Sequence, residues 1–209
     1  MEHDTMKRTL RWAVRSLIIG GLGTIAYCGF VLTDAWLFQQ EQRLEFQLQL
    51  AETPTAPNDG VISVDLHPPP PKVTLAGAPL GLIGKLQIPR LDLSVMVMEG
   101  ADTETLQRAV GHIPGTALPG SPGNTGLSGH RDTFFRPLQD IRHHDLIRFT
   151  TKLGVYRYRV VAIKIVEPGD VTVLDSIGTE SLTLVTCHPF TFVGAAPMRF
   201  IVQAERTKS

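Results

Sequence analysis

The segment Thr183-Leu184-Val185-Thr186-Cys187-His188-Pro189 carries a β-type run into a cysteine and then a proline. Leu182 to Cys187 reads as a strand, and Pro189 ends it because proline has no amide to donate to a ladder. Cys187 then stands at a strand mouth beside a loop, where a thiol is accessible. A lone cysteine is most often a small buried apolar residue, and this segment alone leaves that reading open. To act as a nucleophile the thiol must become a thiolate, which at a typical pKa of ~8.5 calls for a base or a cationic neighbour.

Seven histidines could supply the base. His3 lies at the N-terminus and His67 among prolines, while His143 and His144 sit in a polar, solvated context. His188 adjoins Cys187, so on an extended strand it points to the opposite face. His130 and His112 remain. His130, in Gly123-Asn124-Thr125-Gly126-Leu127-Ser128-Gly129-His130-Arg131-Asp132, follows a short strand with a glycine beside it, which lets backbone and substrate approach closely. It is favoured, although spacing alone does not exclude His112 in Gly111-His112-Ile113-Pro114-Gly115. A cation to orient substrate is less defined: Arg199, on the terminal strand, reads first as an outward charge, and Arg131, Arg136 and Arg159 are equal candidates. No metal or cofactor is expected, because HxxxH and CxxC spacings, a phosphate loop and a GxSxG elbow are all missing from the sequence.

The elements that must position these groups are mostly strands. From about Leu80 onward, Leu82 to Ile88, Leu93 to Met98, Thr125 to Ser128, Leu146 to Thr150, Tyr156 to Val166, Val171 to Leu174, Leu182 to Cys187 and Met198 to Ala204 are candidates. Tyr156 to Val166 alternates well, with a slip near Ile163. Helical character is confined to Thr103 to Val110 and the stretch around Phe134 to Ile141. This texture predicts a mostly β fold, a closed barrel or a sandwich, with a few short helices.

Ahead of that domain, residues 16–33 carry no formal charge and, as a helix, would extend roughly 27 Å, near the bilayer's ~30 Å core. Lys7, Arg8, Arg11 and Arg15 precede the run; Asp34, Glu41, Glu45 and Glu52 follow it. Trp12 and Trp36 flank it as interfacial aromatics do. The pattern predicts a cytoplasmic tail over residues 1–15, an uncleaved transmembrane anchor over 16–36 and an exported remainder. A cleaved signal peptide is disfavoured because the run exceeds a typical h-region and no clean small-x-small site follows. Residues 37–79 read as a helical stalk and then a Pro-rich linker containing Pro68 to Pro71, and residues 80–206 as the folded domain. Cys28 lies within the anchor, so both cysteines are expected as free thiols. Basic residues total 20 and acidic residues 20, which removes the electrostatic case for nucleic acid.

Three of these motifs together resemble the sortase family, most closely its class D. Thr183-Leu184-Val185-Thr186-Cys187 is similar to the TLxTC signature, and Leu127-Ser128-Gly129-His130-Arg131-Asp132-Thr133-Phe134-Phe135 to the segment holding the catalytic histidine. Arg199 matches the catalytic arginine, and Gly111-His112-Ile113-Pro114-Gly115-Thr116 with Pro119-Gly120 and Gly123-Asn124 is also similar. The resemblance spans about residues 80–205 and implies an eight-stranded β-barrel. It implies that Cys187 attacks the threonine carbonyl of an LPxTG-like signal, that His130 moves the protons, and that Arg199 holds the oxyanion. Thr186 and Ser128, beside the two motif centres, are the expected substrate-binding residues. Two departures, His188 after the nucleophile and Ser128 where alanine is common, leave the catalytic groups in place.

The implied partners are exported proteins bearing a C-terminal sorting signal, and an amine acceptor on a cell-wall precursor or a pilin lysine. The implied location is the outer face of the cytoplasmic membrane. Two rival readings use the same residues. A cysteine endopeptidase would resolve the thioacyl with water, and a non-catalytic tethered domain would bind a peptide along a sheet edge.

Overall fold

Alternating burial is the organising signal of the domain. In β1 (Leu82–Ile88) every second residue, Leu82, Gly84, Leu86 and Ile88, is buried, as the two-residue period of a strand requires. The computed structural model describes residues 2–52, 81–176, 180–192 and 194–207. Seven further strands follow: β2 (Leu93–Glu99), β3 (Val110–His112), β4 (Gly123–Ser128), β5 (Leu146–Thr151), β6 (Gly154–Val166), β7 (Glu180–His188) and β8 (Met198–Arg206). They close into a barrel in the order β1-β2-β3-β4-β7-β8-β6-β5, with β5 returning to β1. The pairs β2–β3 and β4–β7 are parallel and the others antiparallel. Leu86, Ile88, Leu127, Phe149, Tyr158, Leu182, Leu184, Val202 and Ala204 fill the interior. Burial pushes the Tyr158 hydroxyl up to about 12.

The expected eight strands are present in number but not in identity. Val171–Leu174, expected as a strand, is a 3₁₀ turn. Asp170 caps it by accepting from the Thr172 amide at 3.1 Å and the Thr172 hydroxyl at 2.5 Å, local bonds that compete with a ladder. The turn lies over β7 and β8, where Gln203 donates to the Val173 carbonyl at 3.1 Å. The eighth strand is instead Val110–His112, of which only Val110 falls within the stretch read as helical. That helix, α2 (Thr103–Arg108), stops two residues short of Val110. Its start is set by Asp102, whose carboxyl is held below the ordinary range first by the Thr105 amide and then by the Thr105 hydroxyl. The slip near Ile163 corresponds to a β-bulge, where β6 loses register with β8 between Val160 and Ala162.

The N-terminal region is one helix, α1 (Glu2–Glu52). Among the described residues no helix is long and apolar enough to cross a membrane; Leu17, Ile18, Ile19, Leu22, Ile25 and Tyr27 are exposed along it. Residues 37–52 continue the helix as expected, but they do not stand free. The short β2–β3 ladder covers only Val97 to Glu99, which leaves the edge of β2 open at Ser94 and Met96. Helix α1 closes it: Gln39 accepts from the Met96 amide at 2.9 Å and donates to the Arg108 carbonyl at 2.8 Å, and Arg43 donates to the Ser94 carbonyl at 2.5 Å. Phe46, 2 % exposed, packs with Leu82 and Met96, and Asp34 pairs with Arg108 at 3.2 Å. Burial, and then the charge of Arg43, lowers the Lys85 pKa. The expected Pro-rich linker, which ends at residue 79, lies outside the described residues.

A second polar clamp ties the start of β5 to the β1–β2 connection. Arg90 grips the buried Asp145 carboxylate through Nε and a terminal nitrogen, both at 2.5 Å, and Asp145 also accepts from the Arg142 amide at 2.8 Å. The Arg90 hydrogen bond is the main reason the Asp145 carboxyl lies below its ordinary range.

Candidate active site

Two strand pairings bring the three candidate groups together. In the parallel β4–β7 ladder the last rung joins Ser128 to Val185. Two residues further along the chain, His130 lies just past the end of β4 and Cys187 lies on β7. The join continues past the ladder, since the Gly129 amide donates to the Val185 carbonyl at 3.2 Å and the Thr186 hydroxyl to the Gly129 carbonyl at 2.7 Å. In the antiparallel β7–β8 ladder Cys187 is directly opposite Arg199, so their side chains share a face. Leu182, Leu184, Val202 and Ala204 point into the core; Cys187 and Arg199 have the other parity and point outward. The 3₁₀ turn at Val171–Leu174 covers the far end of this outer face and leaves the near end open.

There His130, Cys187 and Arg199 line a cavity of about 330 Å³ together with Arg131, Asp132, Gly194, Ala195 and Ala196. Cys187 is a free, half-buried thiol. The loop after His130 is closed by the Phe135 amide donating to the His130 carbonyl at 3.0 Å. The buried Phe135 ring packs so tightly on Gly129 that a Cβ there would come within 2.8 Å of it, so glycine is required beside the histidine. A thiol, an imidazole and a guanidinium in one cavity suit acyl transfer through a covalent intermediate. Among the described residues no group of three His, Cys, Asp or Glu side chains is placed to hold a metal.

Of the remaining sequence candidates Arg131 lines this cavity, whereas Thr186, Ser128, His112, Arg136 and Arg159 do not. Thr186, expected to bind substrate, is 2 % exposed, and its hydroxyl is committed to Gly129. Its work is to lock β7 to the histidine loop. Ser128, the other expected substrate contact, is half-buried on the last rung of β4. His112, the rival base, is buried between Glu99, 2.9 Å from Nδ1, and Thr116 and Ala117, 3.0 and 3.1 Å from Nε2. It fastens the 113–117 turn to β2. His188 stacks on Phe200 and meets Phe190 edge-on, an aromatic cluster behind the thiol. Cavity residues that sequence reasoning gave no role are Asp132, which stands in the histidine motif, and the small residues Gly194, Ala195 and Ala196, whose signal was their place between the strands of Cys187 and Arg199.

Residues 86–207 match the sortase domain family. The chain is 32 % identical over 191 residues to Sortase D of Bacillus subtilis, covering 91 % of this chain and 95 % of that one. Its fold is similar to a Clostridium perfringens sortase D5 transpeptidase, with a TM-score of 0.55 and 27 % identity over 61 % of this chain and 79 % of the other. Sortase A from Corynebacterium diphtheriae superposes with a TM-score of 0.58 and 31 % identity over 64 % of each chain. With the barrel, the cavity and these similarities in agreement, the chain belongs to the sortase family of cysteine transpeptidases.

Proposed function

We propose that this protein is a membrane-tethered transpeptidase that joins exported proteins to an amine acceptor. Cys187 attacks the threonine carbonyl of an LPxTG- or LPxTA-like signal, and the bond to the following residue breaks as His130 protonates the leaving amine. The product is a thioacyl-enzyme. An incoming amine, deprotonated by His130, attacks the thioester carbonyl, forms the new amide and releases the Cys187 thiolate. Arg199 donates to the oxyanion of each tetrahedral intermediate. The observation that carries this reading is the single cavity lined by all three side chains. The acceptor is the amine of a cell-wall precursor or a pilin lysine.

The anchor is part of the same proposal. Residues 16–33 carry no charge, and the exposed Leu17, Ile18, Ile19, Leu22, Ile25 and Tyr27 lie on all sides of α1. A helix apolar all round needs lipid or a core to cover it. The four basic residues before the run support a cytoplasmic N-terminus and a barrel outside the cytoplasmic membrane. Enzyme, tail-anchored substrate and lipid-linked acceptor would then share one surface, which raises their effective concentration.

Intact mass of the full chain in detergent, incubated with an LPxTG-type peptide and a glycine-peptide amine, tests the reading. A transient adduct on Cys187 followed by ligated peptide is expected. An adduct resolved only to hydrolysed peptide would instead favour an endopeptidase, and no adduct with LPxTG or LPxTA peptides would overturn the substrate class.

A further inference from the structure

One wall of the cavity has little hydrophobic material to hold it. Gly194 and Ala195, in the β7–β8 connection, are exposed, and Ala196 is half-buried. What grips this stretch is a pair of arginines acting on backbone carbonyls. Arg131 donates from one terminal nitrogen to the Phe192 carbonyl at 2.6 Å and to the Gly194 carbonyl at 2.9 Å. Its guanidinium carbon also lies 5.9 Å from the centre of the Phe192 ring. Arg199 donates to the Ala196 and Met198 carbonyls, but at 3.4 and 3.2 Å, near the limit of a useful bond.

The two arginines therefore hold the same wall with unequal strength. In the proposed reaction Arg199 must turn its donors to the substrate, which loosens its hold on Ala196 and Met198. Arg131 is then left to keep the wall over Cys187. It is well placed for this, because it directly follows His130 and fixes base and wall to one piece of backbone.

Resting on the transpeptidase reading, we infer that Arg131 is a positioning residue that tethers the wall at Phe192 and Gly194, so that Arg199 is free to serve the substrate. The role is specific to arginine. A lysine ammonium is a compact, strongly hydrated point charge, without the planar face that meets Phe192 or the fixed fork of donors.

The test compares the full chain with its Arg131→Ala and Arg131→Lys variants in detergent. Three readouts are taken: Cys187 alkylation by iodoacetamide, KM and kcat for an LPxTG-type peptide, and backbone amide exchange at Phe192, Gly194 and Ala195. Alkylation is expected to stay within about twofold, because a small reagent needs no wall, while KM rises about tenfold and kcat changes less than about threefold. Exchange at the three amides accelerates in both variants, and lysine does not rescue. Wild-type KM in Arg131→Ala, full rescue by lysine, or unchanged exchange would each overturn the inference. If Arg131→Ala fails to fold, the same comparison with Arg131→Lys decides it. Failure of the wild-type chain to process peptide would count against the transpeptidase reading instead, and the exchange readout would still decide the tether.

Discussion

At the scale of single residues, the chemistry was legible where a motif carried it and obscure where only three-dimensional register did. Cys187 and His130 stand in recognisable strings. Arg199 does not: its own strand reads it as an outward charge, the family resemblance alone singled it out, and β7–β8 pairing sets it opposite Cys187. The proposed roles give graded outcomes in a peptide-ligation assay: Cys187→Ala is inactive, and His130→Ala loses ~10²–10⁴ in rate. Arg199→Ala loses ~10²–10³, the usual effect of removing an oxyanion donor. His112→Ala should keep activity within about tenfold while lowering the melting temperature, since its partners Glu99 and Thr116 lose a buried hydrogen-bonding centre. A folded but dead His112 variant would reverse the choice of base. Thr186→Val keeps the shape of the side chain but strands the buried Gly129 carbonyl. It should cost about 1–3 kcal/mol in denaturant unfolding and slow ligation by releasing the histidine loop from β7.

At the scale of elements, strands with sustained alternation were readable to within a residue or two, and the two failures have different causes. Val171-Thr172-Val173-Leu174 has strand composition, yet Asp170 binds the local backbone and ends any ladder there. Val110-Gly111-His112 has too few residues to show a period, and its central glycine sits where a Cβ would meet the Gly100 carbonyl at 2.2 Å. Gly111→Ala should therefore disrupt the α2–β3 corner and reduce soluble yield. The Arg90–Asp145 clamp has a pH signature. Folding depresses the Asp145 pKa, so its stabilisation is complete above the ordinary carboxylate value of ~3.9 and is lost as pH falls through the lower folded value. The melting-temperature gap between wild type and Asp145→Asn should thus be constant near neutrality and narrow below ~pH 4. A gap that widened in acid would remove the clamp from the account.

At the scale of the whole molecule, the apolar run and its flanking charges were plain in the sequence, whereas the docking of α1 on the barrel was not. Gln39, Arg43 and Phe46 look like members of a polar stalk until the short β3 strand is seen to leave β2 uncovered. Two truncations separate anchor from strap. Removing residues 1–33 should release the protein from lipid vesicles without changing its melting temperature. Removing residues 1–52 should also lower that temperature by about 5–10 °C, through loss of Phe46 burial and the bonds to Ser94 and Met96. Equal stability of the two would show that the strap contributes nothing.

The same strap has a geometric consequence. The Asp34–Arg108 pair, which joins α1 to α2, comes one residue after the uncharged run ends. If the apolar run lies in lipid as proposed, a helix that meets α2 and β2 so soon after it leaves little slack between membrane and barrel. At ~1.5 Å per residue, the contacts from Asp34 to Phe46 occupy only the first ~20 Å above the apolar run. Under the proposed anchoring, the cavity works at one height and one bearing. Such an enzyme would choose substrates by the altitude of their scissile bond as well as by its sequence, serving those whose signal emerges close to the bilayer and missing the same signal carried farther out.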